Sequence, residues 1–398
     1  MIERSVKSFP TFDFFETSMR DQLFISASVT KGGTDAEQSA EEIYDRIADL
    51  LSASSSQVVH ERCFGDIGIQ PQILEARARA LRKHTMEINT PVTFVEGESC
   101  LENKFAGVQI RALKPGSGTR VRTILDQGNP KGRAWNLNGS TFFILHNVDG
   151  GVPTDVKNIN RKSQSEAMFR QAERLLRAEG ASYQDVVRTW IYISDILEWY
   201  DDFNAVRNRC YSEYGFIENA DSRLQAEQMY LPASTGIEGR NPSGLPATMD
   251  VFAVHRSPGS SIQIRPAYGI KQRSPFRYGS AFSRAAVVEQ PDSKLILVSG
   301  TASIDEHGKS VFIGNPAAQI RQTLDVVSVL IASEGATLQD LCEATVFLKR
   351  RQDFSVYQTI AEELGISSMP SVNVVADVCR DELLFELDAA FILEKKKA

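Results

Sequence analysis

Two long segments of the chain repeat the same order of hydrophobic and polar positions. In residues 165–203 and 315–354, apolar residues recur at steps of three and four, which predicts an amphipathic α-helix in each. Each helix is followed by the polar link EGAxxQD, an alternating stretch that predicts a β-strand, and a turn ending in Asp-Phe. A weaker copy begins at Asp35 and keeps the helix, a Ser/Gln link and the strand. The sequence therefore predicts three copies of one structural unit.

Each of the two clearer copies places a glycine after its first helix. Gly180 and Gly335 follow the last apolar helical positions, where a left-handed cap residue is expected. A second helix and two closing strands complete each copy, giving the order β-β-α-β-α-β-β. The second helices are predicted near 70–84, 197–214 and 354–364, and the closing strands at 92–112, 222–256 and 370–393. Helices on one face of a mixed or antiparallel sheet predict an α+β fold.

Linkers rich in Pro, Gly and Ser divide the chain into residues 1–114, 115–258 and 259–398. If helices cover one face of each sheet, each sheet has one uncovered face. The three uncovered faces can pack together around a pseudo-threefold axis, as the subunits of a trimer do. We therefore expect an intramolecular pseudo-trimer that is a monomer in solution. Ligand sites are expected in the clefts between adjacent copies.

Charge and composition narrow the function classes. A net charge of −7 over 398 residues argues against a nucleic-acid-binding surface. The chain contains no apolar run long enough to cross a membrane, and its start does not read as a secretion signal. Its five cysteines are scattered and lack CxxC spacing, which favours reduced thiols in the cytoplasm, with no metal site and no disulfide framework. No phosphate-binding loop or dinucleotide-binding motif points to a cofactor.

The C-terminal stretch combines a hydrophobic pattern with reactive groups. Residues 370–393 contain two alternating apolar runs separated by Arg380-Asp381-Glu382, which predicts an antiparallel hairpin. Because side chains alternate along a strand, Cys379, Glu386 and Asp388 fall on the faces opposite the apolar residues. Taken alone, this pattern favours a half-solvated sheet face over a reactive site, so other features have to decide.

Several motifs of the third copy resemble a known family. GSAFSRA (279–285) stands where YjgF/RidA domains carry their first-strand motif, and SGTASIDEHG (299–308) follows in the place of the strand ending in Ser-Gly. Together with VADVCRDELLFELDAA (375–390), these stretches are most similar to the chorismatases, single chains built like a fused RidA trimer. Val372 stands where RidA deaminases carry their catalytic arginine, which argues against imine deamination in this copy. Arg223 stands at that position in the second copy.

The resemblance implies an enzyme that acts on chorismate, a small dicarboxylate, without a cofactor. Loss of pyruvate from its enolpyruvyl ether begins with a proton transfer, and the resemblance puts Glu386 at the catalytic acid. A carboxyl group in an apolar site has a raised pKa and stays protonated. Arginine binds carboxylates through its planar fork. The residues expected to bind substrate are Gln263, Tyr268, Arg273, Arg277, Phe282, Arg284, Gly300 and Arg223.

Cys379 helps to decide which product the enzyme is expected to form. In the chorismatases, members that form 3-hydroxybenzoate carry a cysteine seven residues before the glutamate, as Cys379 does here. Hydrolytic members instead release a dihydroxycyclohexadiene carboxylate. The resemblance therefore favours 3-hydroxybenzoate and pyruvate, although a small buried cysteine used only for packing fits the pattern too. The alternatives are the hydrolytic reaction, a related enol-ether or enamine acid lyase or deaminase, and a non-catalytic binding protein of the RidA type.

Overall fold

Three six-stranded mixed sheets follow one another along the chain. The computed structural model describes residues 2–114, 116, 119–151, 159–218, 225–227 and 229–395. The first repeat comprises β1 (Ile2–Ser8), β2 (Phe12–Met19), β3 (Gln22–Val29), α1 (Ala36–Ala53), β4 (Gln57–Gly65), α2 (Gln70–Lys83), β5 (Thr93–Glu96) and β6 (Phe105–Leu113).

The second and third repeats have the same element order. The second comprises β7 (Arg122–Asp126), β8 (Asn129–Leu137), β9 (Ser140–Val148), α3 (Arg161–Ala178), β10 (Val186–Ile193), α4 (Ile196–Glu213), β11 (Ala233–Glu238) and β12 (Ala247–Arg256). The third comprises β13 (Gln263–Ala267), β14 (Ala285–Glu289), β15 (Ser293–Ala302), α5 (Pro316–Ala332), β16 (Leu341–Leu348), α6 (Phe354–Glu363), β17 (Ser371–Val375) and β18 (Phe385–Glu394).

Strand order is identical in the three sheets. In the first it runs β1-β2-β3-β6-β4-β5, and the other two sheets repeat this arrangement. Each repeat is therefore β-β-β-α-β-α-β-β, with one more strand at its start than the sequence predicted. The α+β fold and the pseudo-trimer are confirmed. The division at residues 114 and 258 stays a prediction, although the described strands of the three sheets lie within those limits.

The repeated link between helix and strand has a structural cause. The Asp185 carboxylate accepts a hydrogen bond from the Ser182 backbone N–H at 2.8 Å, and Asp340 does the same for Thr337 at 2.9 Å. Each pair forms a capping box that fixes the entry into the next strand. Gly180 adopts the predicted left-handed conformation with φ of 81°. The EGAxxQD repeat therefore serves the fold rather than catalysis.

Each sheet is buried on both faces. One face packs against the two helices of its own repeat, and the other contributes to a central core shared by all three repeats. The predicted helix faces, such as Leu324 and Val327, lie in the helix-covered cores. Among the described residues, no helix is long and apolar enough to cross a membrane.

The predicted C-terminal hairpin is wrong. β16 lies between β17 and β18, pairing with β17 in parallel and with β18 antiparallel. Val372 faces the central core, whereas Phe385 packs against the helices, so the two apolar faces point to opposite sides of the sheet. Alternation along a strand shows which residues share a face, but it does not identify the neighbouring strand.

Candidate active site

A cavity lies between the second and third repeats. The second repeat contributes Tyr200 from α4 and two residues of β11, and the third contributes the remaining walls. Two backbone hydrogen bonds join the repeats beside it: Ser283 N–H donates to Pro232 O at 3.0 Å, and Glu238 N–H donates to Asp377 O at 3.1 Å. The cavity encloses about 490 Å³ including its mouth. It is within the size range in which proteins bind small molecules.

Glu386 projects into this cavity from β18. Its side chain leaves the sheet on the side opposite Phe385 and Leu387, which are fixed in the helix-covered core. The residue is only 4% exposed, and no described group donates a hydrogen bond to its carboxylate. Burial raises the pKa of Glu386 to about 8, with a smaller contribution from the Asp388 carboxylate. The carboxyl group therefore holds its proton at neutral pH and can donate it to a bound molecule.

Gly300 provides the space that Glu386 occupies. A β-bulge between Val298 and Thr301 interrupts the pairing of β15 with β18 at this point. The Gly300 N–H donates to Thr235 Oγ1 at 3.0 Å, and a Cβ added to Gly300 would lie 2.0 Å from Glu386 Oε1. The carboxyl group thus lies directly against the glycine backbone, where no other residue type leaves room for it.

Asp388 lies two residues further along β18 and is fixed by the second repeat. Its Oδ2 accepts hydrogen bonds from Arg188 Nη2 and from Thr235 Oγ1, both at 2.8 Å. The residue is 3% exposed and does not line the cavity. Because Thr235 also receives the Gly300 N–H, one hydroxyl links the Asp388 carboxylate to the backbone beneath Glu386.

Cys379 lines the same cavity as Glu386. It lies four residues beyond the end of β17 and packs against the central core and against the helix-covered core of the second repeat. Burial raises the pKa of the Cys379 thiol to about 12, and the nearby Glu386 carboxyl group contributes in the same direction. The thiol is therefore neutral at pH 7, which disfavours a role as a thiolate nucleophile.

Two arginines of the third repeat form the cationic wall. Arg284 is 3% exposed, donates through Nε to Arg273 O at 3.1 Å and hydrogen-bonds the Tyr278 hydroxyl through Nη2. Arg380 donates through Nη1 to Gly308 O at 2.7 Å. Within the described part of the chain, neither guanidinium group has an acidic partner. Two unneutralised cations beside one protonated acid make the cavity suited to a dianionic ligand.

A third cation lies behind the aromatic wall. Arg207 of α4 is fully buried, and its Cζ lies 5.3 Å from the ring centroid of Phe282. Its Nη2 donates to Asn204 Oδ1, and among the described residues no carboxylate pairs with it. Arg284 Cζ lies 6.0 Å from the centroid of the same ring, so two guanidinium groups lie close to Phe282. Phe282 therefore offers its ring to the cavity in a strongly electropositive setting.

Several residues expected to bind substrate lie elsewhere. Arg277 donates to both oxygens of Glu227 at 2.7 Å, outside the cavity. Arg273 and Gln263 are exposed, and neither lines the cavity. A short 3-10 helix at Pro275–Tyr278 turns the chain between Arg273 and Arg284, which separates residues that a straight strand would keep together.

Tyr268 also lies outside the cavity. Its hydroxyl lies 3.2 Å from the carbonyl oxygens of Ala226 and Met229 and 3.1 Å from Ser283 Oγ. These contacts tie β13 to the segment that precedes β11, so Tyr268 supports the wall instead of forming it. Arg223 lies outside the described residues.

Several residues at the cavity were not predicted from the sequence, among them three aromatic or cationic lining residues and one buried arginine. Tyr278, Tyr200 and Arg380 line it, and Arg207 lies behind Phe282. Arg380 adjoins Cys379 directly, but it was assigned to a turn because the two flanking strands were expected to pair. Within the described residues, no group of three or more His, Cys, Asp or Glu side chains is arranged to hold a metal ion.

Comparisons with known proteins identify relatives of this chain. The family model described as Endoribonuclease L-PSP matches residues 279–389. A protein named chorismatase from Streptomyces hygroscopicus is 26% identical over 285 residues, 66% of this chain and 75% of its own length. A 3-hydroxybenzoate synthase from the same organism is 25% identical over 291 residues, 66% of this chain and 77% of its own length.

A solved chorismatase structure shares the fold. It matches with a TM-score of 0.56 and 18% identity, covering 84% of this chain and 92% of its own. The fused, three-repeat architecture is therefore common to the two proteins. The resemblance to the chorismatases and to the wider YjgF/RidA family, drawn first from short motifs, is confirmed.

Proposed function

Because this chain is related to the chorismatases and contains an L-PSP-type domain, we propose that it is an enzyme that converts chorismate into 3-hydroxybenzoate and pyruvate. The observation that carries the proposal is Glu386. A buried carboxyl group with a pKa of about 8, free of hydrogen bonds from the described residues, faces a cavity that two unpaired arginines line. A binding protein for an anion would have no use for a protonated acid at that position.

Substrate binding follows from the cations. Chorismate carries two carboxylates, one on the ring and one on the enolpyruvyl group. Arg284 and Arg380 are available for them because neither is neutralised by a described acidic side chain. Each guanidinium group can bind one carboxylate through two parallel hydrogen bonds. Phe282 then lies against the unsaturated ring of the substrate, and the buried Arg207 adds positive potential behind it.

Glu386 is the general acid in this mechanism. Its proton is transferred to the terminal methylene carbon of the enolpyruvyl group, which leaves an oxocarbenium-like centre at the ether carbon and a carboxylate on Glu386. The neighbouring hydroxyl of the substrate attacks that centre. The bond between the ring and that hydroxyl's own oxygen then breaks, and the ring carbon that bears the ether oxygen loses a proton, so the ring becomes aromatic. The remaining hemiketal collapses: pyruvate leaves, the ether oxygen stays on the ring as the 3-hydroxyl group, and a proton returns to Glu386. The two products together contain all the atoms of chorismate, so no water is consumed.

Cys379 supports the intramolecular route over hydrolysis. A neutral thiol is a weak hydrogen-bonding group, so it does not hold an attacking water beside the oxocarbenium-like centre. The runner-up is the hydrolytic reaction, which consumes one water and releases a dihydroxycyclohexadiene carboxylate with pyruvate. Ser234 and Ser280 also line the cavity, and their hydroxyls favour that alternative because they can bind water.

Incubation of the purified protein with chorismate tests the proposal. We expect pyruvate and 3-hydroxybenzoate in equal amounts by chromatography, and no turnover by the Glu386→Gln variant. Pyruvate with the diene carboxylate would select the hydrolytic reaction. Unchanged chorismate, with the wild-type chain folded and binding it, would leave a binding protein and reject both reactions.

The cellular location and the oligomeric state of the enzyme are part of the same proposal. We place it in the cytoplasm as a monomer, because the three repeats already supply one another with the neighbours that separate RidA subunits provide in a trimer. All five cysteines are unpaired in the structure, which fits a reducing compartment.

A further inference from the structure

A second cleft lies between the first and third repeats. α6 and β17 line one side of it, and β2 and β3 line the other. These elements correspond by the pseudo-threefold relation to α4, β11, β14 and β15, which surround the proposed active site. The cleft encloses about 650 Å³ including its mouth. It is therefore roomier than the first cavity and can hold a small organic molecule.

The reactive acid has no counterpart in this cleft. Gly107 pairs with Ser28 of β3 in the way that Glu386 pairs with Ala302 of β15. Gly107 has a φ of 151°, and a Cβ added to it would lie 2.1 Å from Ala27 O. Any side chain at that position would strike the backbone of β3. The general-acid chemistry proposed for the first cavity is therefore excluded here.

The charge of the second cleft is opposite to that of the first. Its described lining contains no arginine, lysine or histidine, and its two ionisable acids are Asp13 and Glu362. Within the described part of the chain, neither carboxylate pairs with a cation. The cleft therefore has an uncompensated negative charge and attracts a cation.

Further groups give the cleft the character of a binding site. Ser28 is only 4% exposed, lines the cleft and has no hydrogen-bond partner among the described residues. Because the Ser28 hydroxyl is not engaged by the described residues, it is available to hydrogen-bond a molecule bound in the cleft. The rings of Phe354 and Tyr357, with centroids 6.1 Å apart, form an aromatic wall. Aromatic faces beside carboxylates are the groups that recognise ammonium ions.

From this combination we infer that the cleft between the first and third repeats is a second ligand site, selective for a small organic ammonium ion. Asp13 and Glu362 pair with the ammonium group, Ser28 accepts or donates a hydrogen bond at the base, and the rings of Phe354 and Tyr357 contact the hydrocarbon part. The inference does not depend on the reaction proposed for the first cavity, because the two clefts share no lining residue.

Ligand-observed NMR titration of the full chain tests this inference. The three ligands have similar shapes and differ in charge: benzylammonium, benzyl alcohol and benzoate. Benzylammonium should bind more tightly than benzyl alcohol, and benzoate should not compete with it. Replacing one carboxylate, as Asp13→Asn or Glu362→Gln, should weaken benzylammonium binding roughly two- to fivefold. The double variant should weaken it more than either single variant does, although the two effects need not multiply because both carboxylates share one partner.

Glu363→Gln is the matched control. Glu363 is the next residue of α6, but it pairs with Arg321 and does not line the cleft. This variant changes the net charge by the same amount and should leave the affinity unchanged. Equal affinity for benzylammonium and benzyl alcohol would overturn the inference. It would also be overturned if Glu363→Gln weakened binding as much as Glu362→Gln, because the effect would then come from net charge alone.

Discussion

The carboxyl group of Glu386 lies against the backbone of Gly300 in the neighbouring strand. A Cβ at residue 300 would lie 2.0 Å from Glu386 Oε1 and 3.0 Å from its Cδ. The bulge in β15 places this glycine beside the acid, and Thr235 holds it there through the Gly300 N–H. The position of the proposed proton donor is therefore set by a residue with no side chain.

Gly300→Ala should reduce turnover while the chain stays folded. The added methyl group must push the Glu386 carboxyl group away from its position, and misplacing a catalytic group by about 1 Å can lower the rate on the order of 100-fold. Steady-state measurement of pyruvate release checks this, with thermal unfolding as the test of folding. Gly116→Ala is the control, because a Cβ there meets no atom of the described residues within 4 Å. A Gly300→Ala variant with wild-type turnover would contradict the proposed placement of the acid.

Arg284→Lys and Arg380→Lys should each lower kcat/KM for chorismate. Lysine keeps the charge but loses the planar fork, so a carboxylate exchanges two hydrogen bonds for one. Losing a hydrogen bond to a charged group costs about 1.5–3 kcal/mol, which corresponds to a loss of roughly ten- to a hundredfold. Arg321→Lys serves as the control, since Arg321 is exposed and pairs with Glu363 on α5 and α6. Equal losses in all three variants would show that the cavity arginines have no special role.

Cys379→Ala should shift the products toward the diene carboxylate. The smaller side chain leaves room for a water molecule beside the reacting centre, and water then competes with the substrate hydroxyl. Chromatography of the two products gives the ratio directly. Cys100→Ala removes a thiol that is 4% exposed and does not line the cavity, so it should leave the ratio unchanged. An unaltered ratio in Cys379→Ala would remove the role assigned to this residue.

Glu386→Gln should stabilise the fold by an amount that grows with pH. The pKa of Glu386 is raised from 4.5 to about 8 in the folded chain, so between these values the folded state keeps a proton that the unfolded state has released. The stability of the wild type therefore falls as pH rises through this window, by up to about 1.4 kcal/mol per pH unit, and levels off above it. Glutamine has no such proton to lose.

Urea unfolding of both proteins across this window measures the effect. The gain from Glu386→Gln should be smallest at the acidic end of the window and largest near pH 8. A difference that stays constant with pH would show that burial does not raise the pKa of Glu386.

The repeats and helices were readable from the sequence because they depend on local patterns. The apolar positions of α5, the glycine after α3 and the link at Asp185 and Asp340 all have the structure that their spacing predicts. The C-terminal strands were misread because pairing is decided by tertiary contacts. β16 lies between β17 and β18 in the sheet, although it precedes both in the sequence. The pattern of residues 370–393 contains no signal for this insertion.

The site was predictable where a residue's role depends on its own strand. Glu386 lines the cavity, as its opposition to the apolar positions of β18 suggested, whereas Cys379 lies in the same cavity but beyond the end of β17, the strand expected to carry it. The arginines were harder to assign because their placement depends on how the segment before β14 turns. Arg284 reaches the cavity, whereas Arg277 pairs with Glu227, and Arg380 gained its place through Gly308 and Ser310 of a distant loop.

The central claim is that Glu386 acts as a neutral acid at physiological pH. The most direct measurement is kcat/KM for pyruvate release from chorismate between about pH 6 and about pH 10, because this profile reports the pKa of the essential acid in the free enzyme. We predict a rate that is constant on the acidic side and falls as pH rises through about 8. A rate that rises with pH through that region would show that the working group is a base, and would contradict the account.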